Sequence, residues 1–354
     1  MDYFKERDKK NNQRLRDLRD NLPEFAEEFF VGIEPTTTSL TRLNYAYDLR
    51  IFFDFLIKKI RDFRNFDIFD FQISDLEKIS VTNLETYLEY LTVYEYDGQE
   101  YTNGEKGKAR KLSTVRTFFK FFFNRDKISS NVASKVTMPK LHDKDIVRLE
   151  QNEVVKILDV AENGDGMTTH QRKIQLNTRA RDVAMLSLLL GTGIRVSECV
   201  GLNIKDIDFS TNAFTITRKG GNRAILYFGE EVAEALTNYI EGERKALINR
   251  SEKLTIEDKD ALFLSLQVKR ICVRAVENLV KKYAFEASPL KKISPHKLRS
   301  TYGTNLYRAT GDIYMVADVL GHKDVNTTKK HYAAIEEDHR KLAAQSIKLR
   351  DDKK

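Results

Sequence analysis

The chain has 354 residues, of which 41% are hydrophobic, enough for two domains with cores of their own. Lys and Arg number 60 against 53 Asp and Glu, and the resulting formal charge of +7 suits a polyanionic partner without demanding one. The opening MDYFKERDKKNNQRLRDLRD is too charged for a signal peptide and no apolar run reaches the length of a membrane span, so a soluble cytoplasmic protein without membrane contact is expected. Cys199 and Cys272 lie outside any CxxC pair. A zinc site or disulfide framework is therefore not expected, and both read as buried free thiols.

Residues 1–34 read as an N-terminal extension: a charged helix or loose arm to about Asp20, then an apolar helical patch in LPEFAEEFFVGIE. Pro35 and the Thr/Ser cluster behind it supply helix-start chemistry. Leu43, Tyr47, Ile51 and Phe55 follow at four-residue steps, the period of an amphipathic helix. SVTNLETYLEYLTVYE reads as a second helix with Thr82 or Asn83 as its cap, and KLSTVRTFFKFFFNRDKISS as a third, capped near Ser113. Residues 35–138 are thus expected to form a helical bundle. Lys106, Lys108, Arg110 and Lys111 precede the third helix, and Arg116, Lys120 and Arg125 lie along it among phenylalanines. Two readings stand level here: a solvated basic face over an aromatic core, or a helix that docks on phosphates.

Residues 139–150 read as a linker, because Pro139 breaks the helical pattern and the charged run behind it lacks apolar spacing. A second domain starts with LEQNEVVKILDVAE. NGDGMTTHQRKIQLNT is expected as an exposed loop, RARDVAMLSLLLGTG as a buried helix stopped by a left-handed glycine, and RVSECVGL as a short helix. DIDFSTNAFTITRKGGNRAILYFG alternates in the manner of strands, with Phe214 and Ile216 on one face. Its Gly220-Gly221-Asn222 turn predicts a small antiparallel β-hairpin. From EEVAEALTNYIEGERKAL onward the pattern is mostly helical, apart from a candidate strand at DALFLSL.

Several polar residues in this second domain suit phosphate chemistry. Arg195 follows the glycine stop, and Glu198, one helical turn on, can hold its guanidinium; taken alone the pair reads first as an ordinary surface ion pair. Lys219 sits on the hairpin tip, where it can reach into a groove or simply be solvated. His296 and Arg299 share one helix face behind Pro295. Gly321-His322 follows, and Tyr332 stands ten residues past His322. A lone histidine is most often structural, but the set describes one tool. Two arginines can neutralise a phosphodiester and its pentavalent transition state. Two histidines can donate hydrogen bonds or move protons, a lysine can protonate a leaving oxygen, and a tyrosine can attack phosphorus. No metal or other cofactor is expected, since the arginines do the charge work. His142, His170, His331 and His339 read as surface residues.

GTGIRVSE, SPHKLRSTYGTNL and LGHKDVNTTKKHY resemble, in residue type and order, the signatures of the tyrosine recombinase family, the integrase and Xer group. The resemblance covers nearly the whole second domain, and the helical region before it is similar to the family's core-binding domain. It implies a mainly α fold with a small antiparallel β-sheet in the catalytic domain, arranged as a two-domain C-shaped DNA clamp. The implied divisions are an extension over 1–34, a DNA-binding domain over 35–138, a linker over 139–150, a catalytic domain over 151–335 and a tail over 336–354 that docks on a neighbouring protomer. By the same resemblance Tyr332 is the nucleophile that forms a 3′-phosphotyrosine bond, and Arg195 and Arg299 bind the scissile phosphate. His296 and His322 support it, Lys219 is the general acid for the 5′-hydroxyl, and Glu198 orients the site. Lys108, Arg110, Lys111, Arg116 and Lys120 would lie on DNA. The implied partners are double-stranded DNA with a specific recombination site, a homotetramer on paired sites passing through a Holliday junction, and an accessory directionality protein. The implied service is mobile-element integration and excision or replicon dimer resolution, a simple two-domain type. The alternatives are a type IB topoisomerase-like relaxing enzyme and a non-catalytic DNA-binding protein on the same scaffold.

Overall fold

The computed structural model describes residues 3–141, 147–218, 221–250, 256–322 and 325. The chain divides into two units, residues 1–144 and 145–354, taken here in turn.

The first unit is helical: α1 (Tyr3–Arg19), α2 (Ala26–Gly32), α3 (Ser39–Lys59), α4 (Val81–Tyr90) and, after a hairpin of β1 (Val93–Tyr96) and β2 (Gln99–Thr102), α5 (Glu105–Phe123). Thr38 starts α3, its Oγ1 accepting the Thr41 N–H at 3.2 Å. The cap of α4 is Ser80 rather than Thr82 or Asn83. Ser80 Oγ accepts the Asn83 N–H at 3.1 Å while Asn83 Oδ1 accepts the Ser80 N–H at 2.9 Å, a reciprocal box that satisfies two end donors. The fifth helix starts at Glu105, not near Ser113, whose hydroxyl donates to the Ala109 carbonyl at 2.8 Å from within the helix. The β1–β2 hairpin was not expected. Asp97 and Gly98 turn it, with φ of 53° and 68°, the conformation that an Asp-Gly pair tolerates in a two-residue hairpin.

The described part of the extension, residues 3–34, is not a loose arm. Leu15, Leu18, Leu22, Phe29 and Phe30 are buried in the same core as Phe52, Phe53, Phe118, Phe119 and Phe122. The Phe29 ring meets Phe118 edge-on with centroids 5.0 Å apart, the geometry that the ring quadrupoles favour. The extension is therefore part of the helical unit.

Asp48 of α3 fixes α5 against that core. Its buried carboxylate accepts from Arg110 Nη1 and Nη2 at 2.5 and 2.8 Å, Lys111 Nζ at 3.3 Å and Thr114 Oγ1 at 2.8 Å. Burial lowers the Lys111 pKa, and the Asp48 charge opposes that fall. Asp48→Ala strands a buried ammonium and is expected to destabilise the protein by about 3–5 kcal/mol. Denaturant unfolding of the full chain checks this, and adding Lys111→Met should restore part of the loss.

The second unit begins with α6 (Gln151–Asn163), α7 (Thr169–Gln175), α8 (Arg179–Thr192) and α9 (Val196–Gly201). An antiparallel sheet follows, β3 (Ile207–Asp208), β4 (Ala213–Thr217) and β5 (Arg223–Tyr227), with β4 central and its Phe214 and Ile216 buried. Then come α10 (Glu230–Asn238), a π-turn over Tyr239–Arg244, α11 (Lys245–Asn249), α12 (Ile256–Asp260), α13 (Val273–Ala287), α14 (Pro295–Thr310) and α15 (Ile313–Leu320). Two expectations change. The loop after α6 contains α7, because Thr168 Oγ1 accepts the Gln171 N–H at 3.3 Å and Gln171 Oε1 accepts the Thr168 N–H at 2.9 Å. DALFLSL forms isolated bridges rather than a strand. Side chains take the backbone groups that a neighbouring strand would pair: Arg244 donates to the Ala261 and Leu262 carbonyls, and the Leu264 N–H donates to Tyr239 Oη at 3.0 Å.

Asp182 locks α8 to α13, accepting from Tyr283 Oη at 2.7 Å, Thr178 Oγ1 at 3.0 Å and Arg181 Nη2 at 2.7 Å. Of the two cysteines Cys199 is buried, but Cys272 is exposed at the start of α13. Among the described residues no helix is long and apolar enough to cross a membrane.

Candidate active site

The buried helix α8 stops at Gly193, whose φ is +62°, and the chain turns at once into α9 with Arg195 in the N-cap position. Glu198 holds this arginine twice. Its Oε2 accepts the Arg195 backbone N–H at 3.0 Å and its Oε1 accepts Nη1 at 2.9 Å. The carboxylate is only 4% exposed, whereas the arginine side chain is 37% exposed. The anchor is thus inside and the guanidinium outside, an arrangement that aims the cation without removing it from a ligand.

Arg299 comes from the other side. Ser294 and Pro295 begin α14, which places His296 exposed in its first turn and Arg299 one turn later, 6% exposed. Arg299 Nη1 donates to the Gly193 carbonyl at 2.5 Å and Nη2 to the Leu320 carbonyl. The same helix end receives Arg195, whose Nη2 donates to the Gly321 carbonyl at 3.1 Å. Positive side chains are favoured there, since the last carbonyls of a helix lack intrahelical donors and carry the negative end of its dipole.

That helix end also places His322. Gly321 adopts φ +61°, its N–H bonds the Asp318 carbonyl at 2.8 Å, and the His322 N–H bonds the Ala317 carbonyl at 2.9 Å. This paired closure is a Schellman motif, and the left-handed residue it requires explains why glycine precedes the histidine. Arg195, Glu198, Arg299 and His322 are therefore joined through the end of α15, and His296 lies on the Arg299 side of α14. Lys219 and Tyr332 lie outside the described residues, as do His142, His331, His339 and the 336–354 tail. His170 is exposed.

The basic residues expected on DNA have varied surroundings. Lys111 is 5% exposed and bonded to Asp48, which corrects the expectation for it: its charge serves the interior of the first unit. Arg110 shares Asp48 from the surface, and Lys108 pairs with Glu105 at 3.3 Å. Arg116 donates to the Ala133, Ser134 and Val136 carbonyls at 3.0, 3.0 and 2.5 Å, while Lys120 is exposed. Arg218 was missed altogether. Its side chain reaches the Val319 carbonyl at 3.0 Å, and no local pattern announces a bond across 101 positions of sequence.

Residues 147–339 match the model of the phage integrase family. The chain is similar to tyrosine recombinase XerC of Caldanaerobacter subterraneus subsp. tengcongensis, 34% identical over 294 residues, 80% of this chain and 75% of the relative. It is similar also to tyrosine recombinase XerC of Anoxybacillus flavithermus, 28% identical over 312 residues, 88% of this chain and 92% of the relative. In fold it resembles the XerH site-specific recombinase bound to a palindromic difH substrate, with a TM-score of 0.61, 18% identity and coverage of 87% and 80% of the two chains. A lambda integrase dimer bound to a COC′ core site aligns with a TM-score of 0.57, 18% identity and coverage of 87% and 75%. The family match spans more than half of the chain and holds every site residue named above for catalysis, and the chain accordingly belongs to the phage integrase family, the tyrosine recombinases, as a site-specific recombinase that breaks and rejoins DNA.

Proposed function

We propose that Arg195, Arg299, His296 and His322 receive the scissile phosphate of a specific DNA site, and that Tyr332 attacks it. The Tyr332 oxygen forms the new bond to phosphorus, the phosphorus–O5′ bond breaks, Lys219 gives its proton to the 5′ oxygen, and the phenolic proton leaves through a histidine or water. The product is a 3′-phosphotyrosine. Attack by a 5′-hydroxyl of the partner strand reverses the step, and no nucleotide is consumed. The observation that carries this reading is the pair of arginines held by carbonyls of one helix end beside His322. Their donors are oriented before substrate arrives, which is what transition-state stabilisation requires.

Around this chemistry we place a homotetramer on two DNA sites, exchange through a Holliday junction, an accessory protein that sets direction, and work in the cytoplasm, where the DNA is. Exposed basic groups on α5, Lys120 foremost, touch phosphates in the same reading. Integration and excision of a mobile element and resolution of replicon dimers both fit it.

Trapping tests the reading. The protein is incubated with DNA spanning the junctions that flank its own gene, including nicked suicide fragments, and a denaturant-resistant adduct on a 3′-phosphate is expected. Tight, salt-sensitive binding to a fragment that never yields an adduct would overturn it in favour of a DNA-binding protein without cleavage.

A further inference from the structure

A third guanidinium grips the end of α15. Arg218 closes the β4–β5 hairpin, its N–H donating to the Asn222 carbonyl at 2.8 Å and its carbonyl accepting the Gly221 N–H at 3.0 Å. Its side chain leaves the sheet. Nη2 donates to the Val319 carbonyl at 3.0 Å, and both Nη atoms lie 3.4 Å from the Asp318 carbonyl. Its Nε is buried without an acceptor among the described residues, and the Nη bonds given above all go to α15. With Leu320 taken by Arg299 and Gly321 by Arg195, four consecutive carbonyls each face an arginine.

Gly321 supplies an independent observation. A Cβ built on it would run into the Arg218 guanidinium. The left-handed φ is what calls for glycine there, and an added methyl would have to push aside the end of the Arg218 side chain.

We propose that Arg218 is a positioning residue for the recombination reaction: by docking the end of β4 on the last carbonyls of α15, it sets the place of Gly321 and His322 and, through the shared helix end, of Arg195 and Arg299. It acts on the groups that receive the phosphate rather than on the phosphate itself. The inference rests on the reading of Arg195, Arg299 and His322 as phosphate-binding groups.

The test is single-turnover adduct formation on a nicked duplex at saturating protein, with DNA affinity and Tm measured on the same full-length variants. Arg218→Ala should slow adduct formation by about 10- to 100-fold, the scale of an ångström-sized misplacement, with Kd and Tm near wild type. Arg218→Lys, which reaches one carbonyl, should recover part of the rate. Gly321→Ala should slow the wild type more than it slows Arg218→Ala, by about fivefold or more, since the added methyl displaces a guanidinium only where one is present. A wild-type rate in Arg218→Ala, additive effects of the two substitutions, or a deficit lying wholly in Kd would each overturn the proposal. Absence of any adduct with the wild-type protein would instead overturn the reading of the site on which it rests.

Discussion

Tyr332→Phe is expected to abolish the covalent protein–DNA adduct, a fall on the order of 10⁴-fold or more, while DNA affinity stays close to wild type. The substitution removes one oxygen. That oxygen is the atom that would join phosphorus, and phenylalanine offers nothing in its place. The phosphate would still meet Arg195 and Arg299, whose anchors on Glu198, Gly193, Leu320 and Gly321 do not involve Tyr332. Binding and cleavage should therefore separate cleanly, in gel-shift and adduct assays on the same nicked DNA. A variant that still forms adduct would assign the nucleophile to another residue.

Arg299→Lys is the second large effect. Single-turnover cleavage should fall by about 10²–10³-fold, the usual consequence of losing a preorganised donor to developing charge. Lysine keeps the charge but not the planar fork that spans two acceptors. Arg299 joins the Gly193 carbonyl at the end of α8 to the Leu320 carbonyl at the end of α15, so the substitution also leaves a buried acceptor unsatisfied. A stability loss of about 1–3 kcal/mol should accompany the slower chemistry. Denaturant unfolding measures the one and adduct formation the other. Cleavage by Arg299→Lys at the wild-type rate would exclude the forked contact as a catalytic device.

What was legible in the sequence was whatever is encoded over a few residues. The stop of α8 at Gly193, the Arg195–Glu198 pair one turn apart, the Pro295 start ahead of His296 and Arg299, and the Phe214/Ile216 alternation are all short-range patterns, and each was readable. The Asp97-Gly98 turn was short-range too, and was overlooked because its flanking residues, rich in Tyr and Glu, also fit a helix. The rest depends on partners far along the chain. Lys111 looked like surface until Asp48, 63 positions away, drew it inward. The leucines of α1 were hidden by the charges around them, since the helix shows only a narrow apolar stripe to the core. Arg218 carries no local signal, because the carbonyls it serves are 100 and 101 positions downstream.

The difference between the two cysteines bears on how the enzyme can be handled and how it withstands oxidants. Cys199 directly follows Glu198, and burial pushes its thiol up to about 12, so little thiolate is present at neutral pH and alkylating or oxidising agents have no path to it. Cys272 is open to solvent on another helix. A maleimide dye should therefore attach once per chain, at Cys272, and spare the carboxylate that holds Arg195. The unaltered protein thus carries its own single attachment point for fluorescence or spin-label reporters.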